Sequence, residues 1–135
     1  MKFKIILAPL LFAAMMDYTV TLCSQTLQEK QELFAYSAAK LIIHIFESGY
    51  KCTLGEAFRT HEQALIYSKE HLGIVNSKHC QRLALDINLF DSTGKYIFAD
   101  DKEYEALGHY WESLNPSNRW GGLFHRHDLD HFEMD

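Results

Sequence analysis

Apolar residues recur along this chain with two different periods. Between Thr26 and Gly49 the spacing is helical, with Phe34, Ala38, Leu41, Ile42 and Ile45 falling on one side. Thr26 followed by Glu29 has capping-box spacing and Gly49 can close the segment, so the pattern predicts a first helix over residues 27–48. Thr60 with Gln63 repeats the cap, and Gly73 offers a stop, which predicts a second helix over residues 60–72. A third runs from Asp100 through Tyr104, Leu107, Trp111 and Leu114, and the acidic "ADDKEYE" at its start suits a helix N-terminus.

The period changes to two in "RLALDINLF", where Leu83, Leu85, Ile87 and Leu89 alternate with Arg82, Ala84, Asp86 and Asn88. This predicts a strand with one buried face and Asp86 on the other, beside little bulk. The segments "YKCTLGEAF" and "DHFEMD" supply further extended chain. The expected class is α+β, with helices packed against a small, mostly antiparallel sheet.

At 135 residues with 47% hydrophobic and 13% aromatic composition, the chain can build one real core, and residues 26–135 are expected to form a single domain. Residues 1–25 stand apart. Two lysines precede an apolar run from Ile5 to Met16, which resembles a secretory signal and is too short for a comfortable membrane span. A start at Met15 or Met16 is the other reading of this segment. Thirteen Lys and Arg against eighteen Asp and Glu give a net charge of −5, so no basic footprint suggests nucleic acid or an anionic membrane surface. Cys23, Cys52 and Cys80 are odd in number and widely spaced, which implies neither a disulfide framework nor a cysteine metal site.

The chemistry concentrates in the histidines, of which there are eight, and in the closing run "HRHDLDHFEMD". His79 before the central strand, Asp86 on it and His131 in the last segment make two imidazoles and one carboxylate. That is a three-ligand zinc set with a fourth position open to water, the arrangement of a catalytic rather than a structural site. A carboxylate must then move the proton, and Asp128, Asp130 and Glu133 are all candidates. A cation is also wanted where an oxyanion develops or a substrate carboxylate docks, and Arg59 in "GEAFRT" is the leading one. Spacing alone does not choose among them.

Rival readings exist. His125, His127 and His131 share parity in an extended segment and could form a local metal site. Glu56 with Asp86 could be a glycosidase pair, although it explains none of the histidines. Cys80 beside His79 is set aside as a nucleophile because adjacent strand residues face opposite ways. His44, His61, His71 and His109 lie on helical segments and read as structural or surface residues.

The runs "TLGEAFRTHEQALIY", "NSKHCQRLALDINLF" and "RWGGLF…DLDHFE" resemble the M15 peptidases, a group of D-alanyl-D-alanine carboxypeptidases, dipeptidases and phage-type L-alanyl-D-glutamate endopeptidases. The likeness spans roughly Leu27 to Glu133 and rests on S-x-H-x(6)-D together with D-x-x-H. It implies the Hedgehog/DD-peptidase-like fold, one zinc per chain on His79, Asp86 and His131, and Asp128 as catalytic acid/base. It further implies Arg59 as the substrate-side arginine, with a catalytic and binding role, and Ser77 as a substrate-binding serine. The short length is most similar to the endolysin branch, so the implied substrate is the L-Ala–D-Glu bond of the peptidoglycan peptide stem. D-Ala–D-Ala hydrolysis is the alternative, and a zinc-containing binding module without activity is the reading of another class. A monomer without a stable membrane span is expected. It would act at the periplasmic or extracellular cell wall after export or holin-dependent release.

The final strand raises one geometric condition. His131 and Glu133 should share a face while Phe132 and Met134 point into the core. Asp128 has the parity of Asp130, so it reaches a metal on His131 only if the chain bends around Leu129.

Overall fold

A computed structural model describes residues 25–98 and 102–135. The apolar run and Cys23 lie outside these residues, as does the expected helix start at Asp100. Helix α1 spans Leu27–Glu47, and its cap is the predicted box: Thr26 accepts from the Glu29 N–H while the Glu29 carboxylate takes the Thr26 N–H at 2.7 Å. Gly49 ends it with φ of +85°, a left-handed conformation that favours glycine.

Helix α2, His61–Lys69, is capped by Thr60 as expected but ends earlier than Gly73 suggested. The left-handed residue is His71, at φ of 58°, and the Leu72 N–H closes back on the Tyr67 carbonyl. Gly73 serves a different purpose, since a Cβ there would lie 3.2 Å from the Arg59 guanidinium. Helix α3 spans Glu103–Leu114.

Five strands follow in chain order: β1 Lys51–Leu54, β2 Ala84–Phe90, β3 Tyr96–Ile97, β4 Asn118–Trp120 and β5 His131–Met134. They form one sheet in the order β1-β2-β5-β4, with β3 also paired to β2, and every pairing is antiparallel. Strands β3 and β4 are two and three residues long, too short to register as periodicity.

Helices α1 and α3 pack against one face. Leu41, Ile45, Leu83, Ile87, Leu89, Tyr104, Trp111 and Phe132 are fully buried there, as the alternation in "RLALDINLF" predicted. Trp111 is the hinge pin of this core. Its ring meets Phe34 and Phe132 edge-on, and its Nε1 donates to the carbonyls of Arg119 and Glu133. Trp120 is sandwiched by Gly108 and Gly122, where any Cβ would come within 2.2 Å of the indole. Its Nε1 donates to the Leu129 carbonyl at 2.7 Å, which ties β4 to the chain entering β5. Among the described residues no helix is long and apolar enough to cross a membrane.

Candidate metal centre

Register on the sheet places Asp86 of β2 directly opposite His131 of β5. Opposed residues in an antiparallel ladder project from the same face, and here the His131 Nδ1 lies 2.9 Å from Asp86 Oδ1. His79 arrives from a different direction. It sits on a short 3-10 helix, Lys78–Gln81, that Ser77 caps by accepting the His79 N–H, and its Nε2 lies 3.3 Å from the same Asp86 oxygen.

Placing His79 on this turn revises the reason for rejecting a thiol nucleophile at Cys80. The two residues are not strand neighbours. Cys80 is nevertheless directed elsewhere, with its Sγ 3.9 Å from the Thr60 carbonyl.

His79, Asp86 and His131 each offer one ligand atom within 4.8 Å of the others, and they are the one such group of three among the described residues. Four ligands held about 2.1 Å from a tetrahedral cation lie roughly 3.4 Å apart, so the separations suit a metal. Burial supports the fit. His79 is 2% exposed, its Nδ1 is buried without a hydrogen-bond partner among the described residues, and its Nε2 points into the cluster. His125 and His127 are exposed and do not join His131 in a local site.

Glu133 completes the arrangement from the far side of His131, its Oε2 lying 3.1 Å from Nε2. If His131 binds a metal, a carboxylate in this place would orient the ring and fix which nitrogen carries the proton. Without metal the cluster is strongly polarised. Burial raises the Asp86 carboxyl, but hydrogen bonds from His131 and His79 outweigh it and hold the group at about 2. Burial likewise opposes charge on His131, yet Asp86 and Glu133 push it up to about 9.

These three side chains lie in a cleft of about 420 Å³ whose lining also includes Arg59, Ser77, Asp128, Phe124 and Arg126. Arg59, Ser77, Asp128 and Glu133, all singled out from the sequence, are therefore brought beside the three potential ligands. Asp128 precedes a turn at Leu129–Asp130, with the His131 N–H donating to its carbonyl at 3.1 Å. The bend around Leu129 exists. Gly121 permits it, because the Asp128 N–H donates to the Gly121 carbonyl and a Cβ on Gly121 would stand 2.3 Å from the Asp128 oxygen. Asp130 does not line the cleft, but it is not remote either. Burial, then a hydrogen bond with Asp128 and the charges of Asp128 and Asp86, lift its carboxyl to about 6.

Arg59 is less free than its sequence context suggested. Glu56 accepts from both Nε and NH2, at 2.9 and 2.5 Å, and the ring of Tyr67 lies 4.9 Å from the guanidinium. Its NH1 reaches Ser77 Oγ at 3.4 Å. This pairing commits the Glu56 carboxylate to Arg59, whose hydrogen bonds hold it below the usual carboxylate range.

The D-alanyl-D-alanine carboxypeptidase family of M15 type matches residues 72–134, which carry all three potential ligands. The structure is similar to that of the L-Ala D-Glu endopeptidase ChiX of Serratia marcescens, with a TM-score of 0.59 over 80% of this chain and 85% of that one. At 15% identity that likeness is one of fold. No curated protein matches the chain. The sequence match thus covers a little under half of the chain, the part that carries the three potential ligands, and the fold match covers most of it.

Proposed function

We propose that residues 26–135 form a zinc metallopeptidase domain that hydrolyses the L-Ala–D-Glu amide of peptidoglycan stems. The observation that carries this reading is the convergence of His79, Asp86 and His131 in a cleft that also presents Asp128, Arg59 and Ser77. Three protein ligands leave a tetrahedral ion one open position, which a structural zinc would close. The D-Ala–D-Ala bond is kept as a second specificity because the matching family carries that name. A binding module without activity fits less well, since it would have no use for an acid/base carboxylate beside the ligands.

His79, Asp86 and His131 would hold one zinc, which when bound supplies an acidified water and polarises the scissile carbonyl. Asp128 takes the proton of the attacking water and delivers it to the leaving amine nitrogen. Its place on the bend, rather than in the strand, lets its carboxylate share the cleft with the ligands. Arg59 donates N–H groups toward the oxygen on which charge develops, and Glu56 keeps the planar fork from rotating away. Ser77 spans two tasks, capping the turn that carries His79 and accepting from Arg59.

We place this activity at the cell wall, reached through residues 1–25 acting as a signal or through release from the cytoplasm, by a chain acting as a monomer. Mass spectrometry of digested muropeptides tests the bond. Stems lost after L-Ala support the proposal, whereas release of free D-Ala would replace it with the carboxypeptidase specificity.

A further inference from the structure

Three Lys and Arg side chains line the cleft, and their partners differ. Arg59 is closed on Glu56. Lys78 Nζ lies 3.1 Å from Asp135. Arg126 donates from NH1 to the backbone carbonyl of His71 at 3.1 Å and has no carboxylate partner among the described residues. The carbonyl is neutral, so this contact leaves the charge of the exposed side chain uncancelled. A guanidinium has five N–H donors, and most of those on Arg126 remain for a ligand.

An arginine already held by a carboxylate through two bonds gains little by exchanging it for another, whereas an unpaired one gains a charge-assisted contact. On the reading that the scissile bond is L-Ala–D-Glu, we infer that Arg126, rather than Arg59, recognises the free α-carboxylate of the D-Glu residue. That carboxylate and the scissile nitrogen share one carbon atom. The cation that reads it must therefore line the same cleft as the metal ligands, as Arg126 does. Arg126 also bridges the two walls. It belongs to the segment between β4 and β5, while His71 belongs to the turn that ends α2. A carboxamide at this position carries no charge, so the contact would make the protein sensitive to amidation of that carboxyl group.

The test is equilibrium binding of the zinc-loaded full chain to two peptides that begin at D-Glu, continue through its side-chain carboxyl and cannot be hydrolysed at the bond in question. One carries the free α-carboxylate and the other the carboxamide. The parent chain should prefer the carboxylate by roughly tenfold or more, the usual worth of hydrogen bonds to a charged group. Arg126→Gln should erase that preference while leaving carboxamide binding unchanged, and Arg126→Lys should restore part of it. An undiminished preference in Arg126→Gln would overturn the inference. So would an equal loss for both peptides, which marks a loosened wall rather than a lost charge. Wall hydrolysis measured in parallel keeps the two readings apart: intact preference without hydrolysis would overturn the peptidase proposal and leave the carboxylate site standing.

Discussion

The imidazole of His131 is held from behind by Glu133, whose Oε2 lies 3.1 Å from Nε2, while Nδ1 faces Asp86. Glu133 is therefore expected to act on the metal through His131 and not through substrate. Glu133→Gln should keep the fold and lower zinc affinity about 10–100-fold, the usual cost of losing an outer-shell partner. Competition against a fluorescent chelator measures this, and unchanged affinity would remove Glu133 from the centre.

The metal-free chain should show a stability profile with two edges. His131 rises from 6.5 to about 9 on folding, so its contribution is complete below 6.5 and disappears as pH climbs through 9. Asp86 falls from 3.8 to about 2, so its contribution is complete above 3.8 and disappears as pH drops through 2. Urea unfolding in the presence of chelator should accordingly weaken between about pH 6.5 and 9. Zinc should bind more tightly over the same interval, because the ligand must lose its proton. Rising metal-free stability across that interval would contradict the assigned contacts.

Gly121 is the position where a single methyl group should reach the site. Its Cβ would meet the Asp128 carbonyl at 2.3 Å and the His131 Cβ at 3.0 Å, both firmly placed. Gly121→Ala should cost about 1–3 kcal/mol, as forced overpacking does, and should reduce turnover by displacing Asp128. Thermal melts and hydrolysis rates of this variant, compared with Gly55→Ala, give the readout. Gly55 faces a milder 3.1 Å approach to Asp86. Wild-type behaviour at Gly121→Ala would mean that the bend is not held as described.

The two aspartates before His131 should separate sharply. Asp128→Asn should retain zinc and fold yet lose roughly two to four orders of magnitude in turnover, the usual worth of general acid/base catalysis. Asp130 lies outside the cleft lining and its carboxyl is drawn toward neutrality by burial and by Asp128, so the neutral amide of Asp130→Asn should be tolerated. Equal losses would reassign the proton transfer.

Legibility in the sequence followed the length and regularity of each element. Helix α1 and strand β2 are long enough for their periods to show, and the parity of β2 alone puts Asp86 on the face opposite Leu85 and Ile87. The same parity paired His131 with Glu133, yet could not tell an outer-shell partner from an acid/base. That difference depends on which nitrogen the carboxylate meets. Residues outside regular elements were harder. His79 lies on a 3-10 turn with no periodic signature, and its nearness to Asp86 was implied by family resemblance, not by spacing. Glu56 and Arg59 sit in irregular chain, so their ion pair was hidden, and with it the reduced freedom of Arg59. Gly73 looked like a helix stop but makes room for that same arginine.

Metal content measured beside activity in four single variants addresses the central claim most directly. The parent chain should hold one zinc, and His79→Ala and His131→Ala should each lose metal and wall hydrolysis together, while His125→Ala and His127→Ala keep both. Full zinc and full activity in His79→Ala, or their joint loss in His125→Ala, would contradict the centre built on His79, Asp86 and His131.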